Sequence, residues 1–211
     1  MNPIVFIATG AHHISSADIT LLRERYLEYR IALQKIALYQ KPIYGVLSEY
    51  DASAPEIPPF HLFCTAGLQV LSSEDLASAK TKSQKEFLSI QSLLPSLNVS
   101  EDTFVVKMSG RYILMGDSFM HTVEAVKDNP QIQGVVCLTE DKQQQYTFLF
   151  ALRWKWFKQF YSKPISYLQM KNLEQCIVEF YKEEGIFDQI MQVKTLEIFT
   201  QINNANQFQM F

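Results

Sequence analysis

A chain of 211 residues with 47% hydrophobic and 13% aromatic content can bury a sizeable core, which excludes a disordered or low-complexity class. Its net charge of −3, with acids and bases interspersed and no basic block, argues against a nucleic-acid binder but not against a nucleotide ligand. The three widely spaced cysteines, Cys64, Cys137 and Cys176, form no C-x-x-C pair; no signal peptide and no run near the roughly 20 apolar residues of a membrane span is visible, so a cytoplasmic protein with reduced thiols is expected.

In chain order, Ile4 to Ala8 is a continuous apolar run, as expected of a strand covered on both faces. It stops at Thr9-Gly10, where glycine permits a sharp turn or close approach to a ligand. Ser15, Ser16 or Asp18 can cap a following helix. Leu22, Tyr26, Tyr29, Leu33, Ile36 and Ala37 then recur at three- and four-residue steps, a helix of about six turns. Lys41-Pro42 ends it, because a residue before proline avoids the helical region. A second strand, Ile43 to Leu47, runs into Ser48-Glu49-Tyr50-Asp51. Strand, long helix and strand imply a right-handed crossover and a parallel pair.

The proline-rich segment from Ala52 to Pro59 reads as a surface loop, and Ser83 to Leu94 as a helix broken by Pro95. Thr103 to Met108 is the next central strand, leading into Ser109-Gly110-Arg111-Tyr112. A short helix is expected over Ser118 to Val126, and strands over Val135 to Leu138 and Tyr146 to Leu152. From about residue 153 the chain reads as mostly helical, with helices over Trp154 to Tyr161 and Leu173 to Tyr181. A β-rich stretch, Lys194 to Phe199, precedes a frayed Asn/Gln tail. The whole is expected to be one α/β domain with a mixed, mainly parallel sheet between helices.

Ligands of open α/β sheets sit beyond the carboxyl ends of the parallel strands. Three such ends can be read here. The first carries Thr9 and Gly10 with His12 and His13, which read equally well as plain loop residues. The second carries Glu49 and Asp51, carboxylates suited to base or ribose hydroxyls. The third carries Lys107, Ser109, Gly110 and Arg111, and an arginine fork grips two phosphate oxygens at once. The bland readings are a surface acid at Glu49, a structural ion pair at Arg111 and a lysine at position 107 that snorkels to solvent. Asn98-Val99-Ser100 matches a glycosylation acceptor, but no secretory signal exposes it to that machinery.

Lys107-Met108-Ser109-Gly110-Arg111-Tyr112 resembles the signature of a group of small bacterial and viral glycosyltransferase-like proteins of GT-A type: lysine, then leucine, isoleucine or methionine, then serine or threonine, then G-R-Y. The resemblance extends to Arg25-Tyr26 and Tyr29 on the first helix, to Leu47 through Asp51, and to Lys82 through Glu86, although the glycine of the family's run at this last place is missing. Roughly the first 160 residues take part in the resemblance, with the S-G-R-Y segment its sharpest part. The resemblance implies a GT-A-like fold and transfer of a sugar from a nucleotide diphosphate sugar to a glycan or related acceptor, in the setting of surface-polysaccharide synthesis. A non-catalytic nucleotide- or sugar-binding module is the rival, and a nucleotidyltransferase ranks third because only Gly10 follows the first strand where a glycine-rich loop would be needed.

The resemblance also places the S-G-R-Y segment where most GT-A enzymes carry a metal-binding D-x-D, a triplet this chain lacks. A metal-free mechanism is therefore expected, with Arg111 and Lys107 neutralising the leaving diphosphate. A divalent ion such as Mn or Mg, held by scattered acids such as Asp117, is the alternative. Asp117, Glu140, Asp141 and Glu174 are candidate general bases, with Asp117 preferred for its place after Gly116. As a plain structural matter Asp117 is also a good helix N-terminal acid. Trp154 and Trp156, with Arg153, are read as a stacking wall for the acceptor sugar, against the bland reading that this aromatic run is core.

Overall fold

The computed structural model describes residues 3–11, 19–50, 59–168, 171–202 and 207–210. Within them the strands are β1 (Ile4–Ala11), β2 (Ile43–Ser48), β3 (Gly67–Val70), β4 (Phe104–Ser109), β5 (Ile113–Leu114), β6 (Gly134–Val136), β7 (Leu149–Arg153), β8 (Ile190–Gln192), β9 (Ile198–Ile202) and β10 (Gln207–Met210). The helices are α1 (Ile19–Ala37), α2 (Phe60–Phe63), α3 (Lys82–Leu93), α4 (Ser118–Val126), α5 (Trp154–Tyr161) and α6 (Leu173–Glu183). None of the described helices is long and apolar enough to cross a membrane.

Seven strands form one sheet in the order β3-β2-β1-β4-β7-β6-β8. β1 pairs in parallel with both β2 and β4, and β2 with β3, while β7 runs antiparallel to β4 and β6. The expected mixed, mainly parallel sheet is thus the observed one. β1 is covered on both sides, as its unbroken apolar run predicts. Ile4, Phe6 and Ala8 face a layer containing α1, α2 and α4. Val5 and Ile7 face α3, α5 and α6. Chain order moves outward one way from β1 to β2 and β3, and the other way to β4, so a topological switch point lies between β1 and β4.

Several elements differ from the sequence reading. β1 continues three residues past Ala8, through Thr9 and Gly10 to Ala11, because these residues still pair with β2. Pro95 does not simply stop α3; it sits inside a 3-10 turn, Leu94–Ser96, that extends it. The expected fraying tail instead carries β10, paired antiparallel with β9. The possible caps Ser15, Ser16 and Asp18, and the loop residues 51–58, lie outside the described residues.

Gly10 is not placed for a turn. A Cβ there would lie 2.6 Å from Phe60 Cζ, and one at Gly110 would lie 2.9 Å from the same atom. Gly45 on β2 meets the same ring, with Phe60 Cδ1 at 3.1 Å. One fully buried aromatic side chain on α2 is thus seated over three glycines from adjacent chain segments. Gly10→Ala is expected to cost about 1–3 kcal/mol in urea unfolding by overpacking. Combined with Phe60→Leu, the loss should be smaller than the sum of the two single losses. Strict additivity would show that the ring and the glycine do not share this space.

Candidate functional site

A cavity of about 320 Å³ opens at the carboxyl ends of β1, β2 and β4, at the switch point. Thr9, Gly10 and Ala11 come from β1, Ser48 and Glu49 from the end of β2, and Ser109, Arg111 and Tyr112 from the end of β4. Arg25 and Tyr29 reach in from α1, and Lys82, Lys85, Glu86 and Ser89 from α3. Thr147 and Phe148, before β7, and Glu174, in the first turn of α6, close the far side. The α3 residues are spaced three and four apart, which puts them on one helical face. Thr81 starts that helix, its Oγ1 accepting from Gln84 N at 3.2 Å.

The rim is cross-tied by hydrogen bonds. Tyr29 Oη donates to Ala11 O at 3.0 Å and accepts from Ala11 N at 2.9 Å, pinning the end of β1 to α1. Burial pushes this phenol above its ordinary value, so it stays protonated as that donor. Ser48 Oγ donates to Gly10 O at 3.1 Å, and Gly110 N donates to Thr9 O at 2.6 Å. Three neighbouring strand ends are therefore fixed relative to one another. Glu49 ends β2 in the left-handed region at φ +54°, a conformation that non-glycine residues adopt at a cost.

Charge in the cavity divides into two sets. Glu49 is ion-paired with Lys85, and Glu86 with Lys107. Glu174 Oε1 accepts from Thr147 Oγ1 at 3.0 Å. Arg25, Lys82 and Arg111 take part in no ion pair among the described residues. Glu28, just behind, is half-buried; burial raises its carboxyl, and the Arg111 and Arg25 guanidiniums oppose that rise. Three cations without ion-pair partners thus share one cavity. No three His, Cys, Asp or Glu side chains among the described residues come together in a group able to hold a metal ion. Two of the three described carboxylates that line the cavity are paired with lysines.

The sequence-predicted residues separate accordingly. Thr9, Gly10, Glu49, Ser109 and Arg111 line the cavity. Gly110 is buried behind it, against Phe60. Lys107 is not a snorkelling or ligand-facing lysine. Its side chain is 0% exposed, its Nζ donates to Thr147 O at 2.6 Å and Ser109 Oγ at 3.1 Å, and Glu86 is its counter-ion. Two hydrogen bonds and one counter-ion thus hold the ammonium inside the protein. His12, His13 and Asp51 lie outside the described residues.

Asp117 does not border the cavity. It is exposed at the start of α4, where its Oδ1 accepts from Tyr39 Oη. The close approach that Gly116 permits is that of Glu197, whose carboxylate accepts from Ser118 Oγ at 2.6 Å. Glu140 and Asp141 are exposed, and Asp141 is tied to Thr139 Oγ1 at 2.6 Å, which holds its carboxyl below the usual range. Of the four candidate bases, Glu174 alone lines the cavity.

The expected stacking wall is also elsewhere. Trp154 is 5% exposed and packs in the core against Phe157 at 6.2 Å. Trp156 Nε1 donates to Gln133 Oε1 at 2.8 Å, away from the cavity. Arg153 is a structural clamp: its guanidinium donates to Ile132 O, Asp102 O, Lys127 O and Asn129 O, and covers the Phe104 ring. The aromatic surface that does line the cavity is Tyr112 with Phe148, stacked at 4.7 Å and 8°.

No protein-family model matches the sequence, and no curated protein matches it. Solved structures do match the fold. The mannosyltransferase PcManGT from Pyrobaculum calidifontis, determined with GDP-Man and Mn2+, matches 98% of this chain with a TM-score of 0.62 at 9% identity. This chain spans 59% of that enzyme's length. A 4-diphosphocytidyl-2C-methyl-D-erythritol synthase matches 97% of this chain and 95% of its own, with a TM-score of 0.56 at 10% identity. A protein described as a nucleotide-diphospho-sugar transferase from Desulfovibrio desulfuricans G20 matches 92% and 80%, with a TM-score of 0.53 at 12% identity. At these identities the likeness is one of fold: the GT-A-like α/β arrangement that the sequence predicts.

Proposed function

We propose that the cavity binds a nucleotide diphosphate sugar and that the chain transfers the sugar to a hydroxyl of a glycan or related acceptor. The observation that carries this is the set Arg25, Lys82 and Arg111, three cations that form no ion pair among the described residues, at the switch point of a GT-A-like sheet. Cations outside ion pairs favour a multiply charged anion, and an arginine fork favours phosphate oxygens. β2 and β7 are three strand spacings apart, about 14 Å, which suits a ligand extended across the strand ends. The base and ribose then lie toward Ser48 and Glu49, the diphosphate over Arg111, and the transferred sugar toward Thr147 and Glu174.

In the reaction the acceptor oxygen bonds to the anomeric carbon as the bond from that carbon to the diphosphate oxygen breaks. The electron pair passes to the diphosphate, where Arg25, Lys82 and Arg111 stabilise the developing charge. The acceptor's proton goes to a carboxylate, and Glu174 takes the role first read at Asp117 because it is the candidate at the cavity. The cations do the work that a divalent ion does in metal-dependent transferases, so no metal is required in this reading. Surface-polysaccharide synthesis in the cytoplasm remains the proposed setting.

Nucleotidyl transfer is the second reading, favoured by the fold match that spans 95% of the cytidyl synthase. Product analysis separates them. Sugar transfer releases a nucleoside diphosphate, whereas nucleotidyl transfer from a triphosphate releases pyrophosphate. Donor hydrolysis or transfer is expected to persist in excess EDTA; loss of turnover on chelation, restored by added Mn2+, would overturn the metal-free part. Binding of diphosphate sugars with no turnover of any acceptor or water would instead identify a binding module.

A further inference from the structure

Besides Tyr29, the described aromatic residues that line the cavity are Tyr112, in the turn after β4, and Phe148, before β7. Their rings stack at 4.7 Å with 8° between the planes. Both residues are half-buried, so the stack stands partly in solvent. Phe148 O accepts from Ser109 N at 2.8 Å, and Ser109 O accepts from Tyr112 N at 3.0 Å. Both rings are thus mounted on one backbone junction between β4 and β7, and little ordering is left for a ligand to impose. Tyr146 is half-buried as well, two residues before Phe148, with buried Thr147 between them, the alternation of an extended segment. Its ring lies 5.3 Å from that of Phe148, but it does not line the cavity. Tyr112, Phe148 and Tyr146 therefore form a row of rings that begins in the cavity and continues beyond it.

The groups around this row decide what can lie on it. Thr147 Oγ1 donates to Glu174 Oε1 at 3.0 Å, so the carboxylate given the role of base adjoins the residue before Phe148. The Arg111 guanidinium is 5.8 Å from the Tyr112 ring, so the diphosphate site adjoins the stack too. A hydrocarbon chain here would strip water from a carboxylate and a guanidinium without replacing its hydrogen bonds. A sugar ring suits the place better. Its C–H face covers an aromatic ring, and its hydroxyls reach the polar groups at the edge. At 4.7 Å the stacked rings leave no room for a third between them, so the ligand lies on the outside of the stack. We propose that this row is the acceptor platform and that the acceptor is an oligosaccharide. Its terminal sugar packs on Tyr112 and Phe148 with a hydroxyl directed at Glu174, and the next sugar packs on Tyr146. This rests on the transfer reading above and deepens it by naming the class of acceptor.

Calorimetric titration tests this, with UDP or GDP present at excess. The titrants are gluco-, galacto- and manno-configured saccharides of one to four residues, and phosphatidylcholine vesicles carrying a polyprenyl phosphate. In the wild type, affinity for at least one saccharide series should rise from one residue to two. Phe148→Leu should weaken that series roughly two- to tenfold, the effect of one aromatic contact, with a smaller change for UDP or GDP alone. Tyr146→Ala should abolish the gain from the second residue and leave monosaccharide and diphosphate affinities as they are, because Tyr146 stands outside the cavity. If Phe148→Leu does not fold, the length dependence in the wild type and in Tyr146→Ala decides. Saccharide affinities equal in variants and wild type, or binding confined to the vesicles, would overturn the platform and leave the donor reading intact. So would a wild type that binds diphosphates and no saccharide. A loss in Phe148→Leu that is larger for diphosphates than for saccharides would make the stack a nucleobase shelf and overturn it likewise. A wild type that binds saccharides through these rings and no diphosphate would uphold the platform and overturn the donor reading.

Discussion

Arg111→Ala is expected to weaken nucleoside diphosphate binding by roughly ten- to a hundred-and-fifty-fold, because a hydrogen bond to a charged group contributes about 1.5–3 kcal/mol. The unliganded protein should melt where the wild type does. Arg111 is half-buried at the rim, with its guanidinium 5.8 Å from the Tyr112 ring and close enough to act on Glu28 without an ion pair, so the fold loses little when it is truncated. In a thermal-shift assay, ligand at a hundred times its dissociation constant stabilises the wild type by about 2.7 kcal/mol, and most of that shift should vanish in the variant. Arg111→Lys should recover part of it, since the charge returns but the planar fork does not. Binding to the wild type should also weaken as salt is raised, and the variant should show a shallower dependence. A variant that unfolds, or one that binds diphosphates as tightly as the wild type, would remove the proposed anion site.

Much of this site was legible because strand ends are legible. Glycine, serine and charged residues interrupt the apolar runs of β1, β2 and β4, and the switch-point rule gathers those interruptions on one rim. Helices α4 and α5 also begin and end where the sequence places them, since each has an unambiguous apolar stripe. The four-residue elements α2 and β3 and the two-residue β5 are too short for any periodicity to show. What α2 contributes is one ring over three glycines. Nothing local to Gly10, Gly45 or Gly110 announces that, because the ring arrives from a distant part of the chain.

The tryptophan pair and Asp117 stand away from the cavity for related reasons. Trp154 and Trp156 were read for their chemistry, yet α5 directs Trp154 into the sheet face, and the charged neighbour at Arg153 is spent on four carbonyls. Asp117 follows Gly116, but the close neighbour of that glycine is Glu197, and the chain turns through β5 before reaching it. Glu174, more than sixty residues beyond Arg111, is the carboxylate the fold delivers to the cavity. Lys82 through Glu86 enter the sequence reading only through the family resemblance, yet the three- and four-residue steps that link Lys82, Lys85, Glu86 and Ser89 mark one face of a helix.

Lys107 and Glu86 offer the sharpest test of the corrected roles. Their pair is asymmetric: the lysine side chain is 0% exposed and the glutamate 29% exposed. Glu86→Ala leaves a fully buried ammonium with only Ser109 Oγ and Thr147 O to neutralise it, and removing one partner of a buried pair costs about 3–5 kcal/mol. Lys107→Met leaves instead a carboxylate at the cavity wall that water can reach, and methionine fills much of the space of the lysine stem. That loss should be smaller, roughly 1–3 kcal/mol for an acceptor deprived of its partner. Urea unfolding should therefore rank Glu86→Ala below Lys107→Met. Diphosphate binding discriminates further. The double variant Lys107→Met with Glu86→Gln removes both charges of the pair and leaves the net charge of the cavity as it was, so the salt dependence of its diphosphate binding should match that of the wild type, unlike that of Arg111→Ala. A reversed stability order of the single variants, or a salt dependence that flattens in the double variant, would show that this ammonium faces the ligand, and the division of the cavity into paired and unpaired charges would be wrong.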